Sequence, residues 1–282
     1  MARDGIKSRS VSQTEPRIRR GYFECRYGQL HVRNAIPPGG GFEEGISLLL
    51  LHHYPMSGAV YQRLLSLMGR DRSVYAPDLP GFGESDAPPS PPSIADYAGA
   101  VADFLDTMRF RQVDVAAYQS GSLVAAELAI ARPACVRRVV CVGVPVASKA
   151  ERDSFRAAPW PIPAVADGGH LAVEWERTRK GGRSALPLAA LARHFAEKLH
   201  NGPDAWWGMQ AALDYPARDR LGRVTQPVLL VRARDEHWDT TQYARELMPK
   251  ARLTDLPDVG DEAFESAPER MAEILRGFLQ AR

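Results

Sequence analysis

Compact apolar, β-branched runs recur along this chain, separated by stretches whose apolar positions fall every three or four residues. The first signal differs from the rest. From Gly21, GYFECRYGQLHVRNAI alternates apolar and polar residues about a Tyr27-Gly28 turn, as a half-solvated edge hairpin does. IPPGGG then breaks the pattern. Beyond it, Ile46 to His53, Ser73 to Pro80, Val113 to Tyr118, Val136 to Val146 and Pro227 to Ala233 are short apolar runs, the mark of strands covered on both faces. RLTDLP is a weaker final run. Between them, Ile94 to Met108, Gly121 to Ala131 and Ala267 to Leu279 carry helical spacing. Alternating strand and helix predicts an α/β fold with a mostly parallel, doubly wound sheet and right-handed crossovers. Ala147 to Val224 interrupts the alternation with helical, Trp-rich, loop-punctuated sequence. It is too long for one crossover, so an inserted helical lid over the carboxyl ends of the strands is expected. The expected division is a flexible tail over 1–20, a core over 21–146 and 225–282, and a lid over 147–224.

Composition narrows the picture. The 282 residues, 45% hydrophobic and 25% charged, suffice for one large core. No run approaches the ~18 apolar residues of a membrane span. The first 20 residues carry Lys and Arg but no apolar segment, so no secretory signal is read there and a cytoplasmic location is expected. Cys25, Cys135 and Cys141 are odd in number and lack Cys-x-x-Cys spacing. A net charge of +2, without an Arg/Lys stripe interleaved with aromatics, argues against nucleic acid. The expected partner is a small molecule; oligomeric state is left open.

Four landmarks then resemble, in order and rough spacing, the capped α/β hydrolases, the group of epoxide hydrolases, haloalkane dehalogenases and carbon–carbon bond hydrolases. LLLLHHYP resembles the family's His-Gly-x-Pro turn, with His53 in the glycine position, Pro55 keeping the turn and the Tyr54 N–H as oxyanion donor. APDLPGFGESD looks like the glycine-rich loop after the next strand. VDVAAYQSGSLVAAELA stands where the nucleophile elbow belongs. The elbow needs small residues two positions either side of its tip, and Ala117 and Gly121 provide them if Gln119 is the tip. Ser120 at the tip would instead put Tyr118 and Ser122 at the crowded sites. In VRARDEHWD the resemblance assigns Asp235 as the acid, and after Val259-Gly260 the histidine position is Asp261.

These residue types change the chemistry. A carboxamide such as Gln119 is a weak nucleophile, and no imidazole stands at Asp261 to activate a serine. Asp235 and Asp261, with Glu262 beside them, are expected to face each other across the pocket floor, one of them protonated as a general acid; the plainer reading is a solvated acidic pair. His52, His53 and His237 fall on loops at the carboxyl ends of strands and are candidate acid–base groups, His52 being the one usually structural. Tyr54, Ser120, His52 and Tyr118 are candidate oxyanion or substrate contacts. No His-x-x-x-His or Cys-x-x-Cys spacing suggests a metal, and no cofactor is expected. Of Trp160, Trp175, Trp206, Trp207 and Trp238, most are expected in the lid core and one or two along an apolar pocket. Three functions stay open: an atypical or non-hydrolytic acid–base enzyme of lyase, isomerase, cyclase or decarboxylase type, a hydrolase with Ser120, Ser122 or a carboxylate-activated water as nucleophile, and a pseudoenzyme that binds a small molecule or partner.

Overall fold

Side chains along the central strands are buried on both faces, and each parity belongs to a different layer. In β5 (Val113–Tyr118), Val113, Val115 and Ala117 join one hydrophobic cluster while Ala116 and Tyr118 join the other. In β3 (Ser47–Leu51), Leu49 and Leu51 face the first and Leu48 and Leu50 the second. A strand with both faces apolar can only be buried between two layers, because successive side chains point to opposite sides. The computed structural model describes residues 15–40, 45–158, 163–180 and 186–280.

The other strands are β1 (Arg17–Cys25), β2 (Gly28–Ile36), β4 (Val74–Pro77), β6 (Val136–Val142), β7 (Val228–Ala233) and β8 (Arg252–Leu256). They form one eight-stranded sheet in the order β1-β2-β4-β3-β5-β6-β7-β8. The β1–β2 and β2–β4 pairs are antiparallel and the other pairs are parallel. The expected α/β sheet is thus present. The edge hairpin is longer than expected: Arg17 to Arg20, assigned to a flexible tail, pair with Ile36 to Arg33. Their side chains are mostly exposed, so apolar pattern could not reveal a segment held chiefly by its backbone ladder. Residues 1–14 lie outside the described residues.

The helices are α1 (Gln62–Met68), α2 (Ile94–Thr107), α3 (Ser120–Ala131), α4 (Lys149–Ala157), α5 (Gly169–Lys180), α6 (Leu188–His200), α7 (Trp207–Asp214), α8 (Ala217–Arg220), α9 (Trp238–Leu247), α10 (Ala263–Ser266) and α11 (Pro268–Leu279). Buried residues of α2 and α3 cover one face of the sheet, and those of α1, α10 and α11 cover the other. Helix α2 starts at a capping box between Ser93 and Asp96, which satisfies two orphan donors of its first turn. Helix α3 is buried from Gly121 through Ala129, and its one internal charge, Glu127, pairs with Arg220 and accepts from Tyr215. Helices α4 to α7 lie between β6 and β7, and among their described residues none joins the sheet.

Chain order places β4 on one side of β3 and β5 on the other. Such a reversal opens a crevice at the carboxyl ends of the strands, since the following loops diverge. The turns after β3 and β5 flank that crevice.

Candidate active site

The turn from β5 into α3 is built around one residue. Gln119 has φ 45° and ψ −118°, a combination that costs a non-glycine residue about 1–3 kcal/mol and persists only where its surroundings enforce it. They do so through its N–H, which donates to Val142 O at 2.8 Å, and its carbonyl, which accepts from Ser122 N at 2.8 Å. Gly121 follows because a Cβ there would stand 2.3 Å from Leu51 O and 2.5 Å from His52 O. Gln119, not Ser120, therefore stands at the tip. Its amide nitrogen lies 3.5 Å from Asp235 Oδ2.

Ser120 takes a different role from the candidate nucleophiles. Its Oγ accepts from Tyr54 N–H at 2.8 Å, the donor expected to serve an oxyanion. An open oxyanion hole was the expectation; the side chain of Ser120 fills that donor instead. Ser122 is buried, and its hydroxyl is directed at Gly143 O (3.2 Å) and Ala117 O (3.4 Å), back into the sheet.

Asp235 sits at the end of β7, where Oδ1 accepts from His237 N at 2.9 Å and Oδ2 lies 3.4 Å from the Tyr118 hydroxyl. Burial pushes its carboxyl above the ordinary range, with His237 beside it pulling the other way. Burial lowers the His237 imidazole, which Asp235 opposes. The two groups thus hold proton affinities drawn toward each other, as a proton-transfer pair requires. Gly143, at φ 63°, leaves the space they occupy: a Cβ there would stand 3.0 Å from Asp235 Oδ2 and 3.3 Å from Gln119 Cγ.

The two adjacent histidines have separate fates. His52 is fully buried; its Nδ1–H donates to His53 O at 3.1 Å and its Nε2 accepts from Leu79 N at 2.7 Å. Both nitrogens are used in the neutral tautomer, and burial lowers its pKa to about 4. It is a strut between the two turns. His53, a candidate acid–base group, is fully buried against the Tyr118 ring and does not line the cavity. Its Nε2 lies 3.2 Å from Glu262 Oε1.

Asp261 and Glu262 were expected either to confront Asp235 or to be solvated together. Neither describes Glu262, which is 3% exposed, adopts a left-handed backbone (φ 55°) and receives no bulk solvent. Its N–H donates to the Tyr118 hydroxyl at 2.9 Å. Asp261 is half-buried, and its carbonyl accepts from Ser266 Oγ at 3.2 Å. Neither Asp261 nor Asp235 lies on the cavity wall; His237 does, with Asp235 behind it, bonded to the His237 N–H and within 3.5 Å of the Gln119 amide.

A cavity of about 600 Å³ opens between these turns and the helices α4 to α7. From the sheet side Tyr54, Gln119, Ser120, Val146 and His237 line it. From the helices come Glu151, Phe155, Arg177, Lys198, Met209 and Leu213. Glu174 pairs with Lys198 at 2.6 Å and Arg177 at 3.3 Å, which fixes both cations at the wall. Sequence reasoning missed all of these, because nothing in helical periodicity says which face of an inserted segment looks at the core. None of the described tryptophans lines this cavity: Trp175 packs edge-on against Phe195, Trp206 against Phe155, and Trp238 lies under Arg232 and Arg234. Trp160 falls outside the described residues.

Asn201, at the end of α6, joins the helical segment to both turns: its Nδ2 donates to Pro55 O at 2.5 Å and its Oδ1 accepts from Gly83 N at 2.9 Å. Asp78 organises the glycine-rich loop from below, accepting from Gly58 N (2.8 Å) and Glu84 N (3.1 Å) and pairing with His31 Nδ1 (2.8 Å). Burial alone would raise its carboxyl, but His31 and the charges nearby hold it below the usual range.

A model of the alpha/beta hydrolase family matches residues 48–274, most of the chain. The chain is an α/β hydrolase family member. An uncharacterized protein of Mycobacterium tuberculosis is 29% identical over 118 residues, which are 42% of this chain and 35% of that protein. The match thus spans about a third of the length of that relative. The (E)-2-((N-methylformamido)methylene)succinate hydrolase of Acinetobacter baylyi is 21% identical over 244 residues, covering 84% of this chain and 91% of that enzyme. Among solved structures, a hydrolase from Pseudomonas aeruginosa PA01 superposes with a TM-score of 0.75 over 93% of this chain and 98% of its own, at 20% identity. At that identity the likeness shows the family fold alone, and the function must come from the site. Among the described residues, no helix is long and apolar enough to cross a membrane.

Proposed function

We propose that this hydrolase-family chain is an acid–base enzyme acting on a small carbonyl-containing substrate without an acyl-enzyme intermediate, with helices α4 to α7 as its lid. One observation carries the reading: the residue at the strained tip is Gln119, and the serine next to it spends its oxygen on Tyr54 N–H. No side chain at the tip can attack a carbonyl carbon with useful rate, since an amide lacks an activated lone pair. What the cavity offers instead is the His237 imidazole, whose proton affinity burial lowers, backed by the Asp235 carboxyl, whose proton affinity burial raises, and the Gln119 amide that orients a polar substrate. These suit proton abstraction and return beside a carbonyl, the shared step of lyases, isomerases and decarboxylases. Asp261 in the histidine position leaves the triad degenerate.

A second reading is favoured by His237 lining the cavity and by the named hydrolase relatives: the same pair activates a water for hydrolysis. Both readings exclude a serine acyl-enzyme. An aryl phosphonate that labels active serines is expected to leave the wild type untouched, whereas Gln119→Ser with Asp261→His gains labelling, more so once Ser120→Ala frees the Tyr54 donor. Labelling of the wild type at Ser120 overturns both. Deuterium wash-in at the α-carbon of aryl ketones, present in the wild type and lost in Asp235→Asn and His237→Gln, separates the first reading from the second. Hydrolysis without exchange would favour the water mechanism. The acid limb of either activity belongs to the pair, since burial raises the Asp235 carboxyl and lowers the His237 imidazole, and both Asp235→Asn and His237→Gln should displace it.

A further inference from the structure

Behind the cavity floor, α6 meets the turn that opens α10, and a second polar cluster forms there that the proposed reaction does not use. His194, on α6, is 2% exposed. Its Nε2 lies 2.5 Å from Glu265 Oε2, and its Nδ1 faces Glu262 Oε1 at 3.8 Å. Glu262 is 3% exposed and Glu265 half-buried. One ligating atom from each of His194, Glu262 and Glu265 can be chosen so that all lie within 4.8 Å of one another.

The decisive feature is the 3.8 Å separation. His194 Nδ1 is a buried ring nitrogen with no hydrogen-bond partner. A proton does not bridge that distance, since a good N–H···O contact is about 2.7–3.2 Å. An ion that sits about 2.0–2.2 Å from each donor does bridge it. A nitrogen and two carboxylate oxygens are also a donor set that borderline divalent metals accept. His53 Nε2, 3.2 Å from Glu262 Oε1, then orients the carboxylate from behind, as partners of metal-ligating groups commonly do.

We infer that His194, Glu262 and Glu265 form a binding site for one divalent transition-metal ion of the zinc class, which fastens α6 to the α10 turn. The ligands come from two elements distant in sequence, 68 to 71 positions apart, which is why no short spacing announced them. The ion would be structural in position, since none of the three lines the cavity. The inference does not depend on the proposed reaction.

The test is equilibrium dialysis of the full chain against Zn²⁺, followed by Co²⁺ substitution. The expected result is one Zn²⁺ per chain, a chelator-reversible rise in melting temperature, and a Co²⁺ spectrum with visible ligand-field bands but no thiolate charge-transfer band. His194→Gln and Glu265→Gln should each weaken binding by about 100-fold or more, while circular dichroism without metal matches the wild type. Substoichiometric uptake overturns the site, leaving a hydrogen-bonded histidine–glutamate contact. Uptake unchanged by both substitutions, or a thiolate band from Cys25, Cys135 or Cys141, places the ion elsewhere and equally overturns it. Should either variant fail to fold, X-ray absorption of the wild-type Zn²⁺ complex decides: a nitrogen–oxygen shell with a single imidazole is expected, and a sulfur or histidine-rich shell refutes it.

Discussion

Two stretches of the sheet's carboxyl edge behave differently. At the ends of β3 and β4, His52 and Asp78 hold their loops with contacts of 2.7 to 3.1 Å, and both are fully buried. At the ends of β5 and β7, Gln119 and Tyr118 approach Asp235 only to 3.5 and 3.4 Å, behind the cavity that Gln119 and His237 line. His52 and Asp78 lie away from the cavity, so each of their polar atoms must find its partner within the protein. The second stretch has to exchange partners with a ligand, and long contacts before binding are normal there. Tight bonding thus marks the frame, and loose bonding marks the groups proposed to react.

That contrast can be broken most directly at Asp78. Asp78→Ala is expected to cost about 3–5 kcal/mol, because it strands His31 and two backbone N–H groups in the interior. Urea unfolding measures it, and a loss under 1 kcal/mol would remove Asp78 from the frame.

His52 sharpens the comparison through pH. Its pKa is about 4 in the folded chain against an ordinary 6.5, so between these values the unfolded state binds more protons and stability rises with pH. The contribution, roughly 3 kcal/mol, is complete above 6.5 and gone below 4. His52→Asn, which does not titrate, should flatten this part of the acid limb. Parallel limbs for the two proteins in denaturant titrations would contradict the strut.

Tyr118 touches both regimes. Its hydroxyl accepts from Glu262 N and reaches toward Asp235, so Tyr118→Phe orphans a buried N–H at a cost of about 1–3 kcal/mol. Removing a donor from Asp235 should also move the acid limb of activity upward, because the carboxylate loses a bond to its charged form. An unmoved limb would mean that the 3.4 Å contact is idle. The smallest effect belongs to Arg63→Ala: its pair with Glu269 is more than 60% exposed on both sides, and its loss should change stability by less than about 1 kcal/mol.

Strand and helix periodicity by itself settled the parallel sheet, because a strand buried on both faces leaves an unbroken apolar run that few other structures use. The resemblance to the family's nucleophile elbow set Gln119 at the tip, through the need for a glycine at 121 where the backbones of two elements nearly touch. The glycine-rich loop and the place of Asp235 after β7 came from the same resemblance. What no local pattern contained was distance across the fold. Whether His53 looked into the cavity or away from it depended on the side of the turn that Tyr118 occupied. Burial of Glu262 required α6, from another part of the chain, to pack His194 against it. Filling of the Tyr54 donor by Ser120 joined residues 66 positions apart. Proton affinity and ligand geometry follow from such juxtapositions, since both depend on which groups exclude water and at what separation, and only the tertiary structure fixes those.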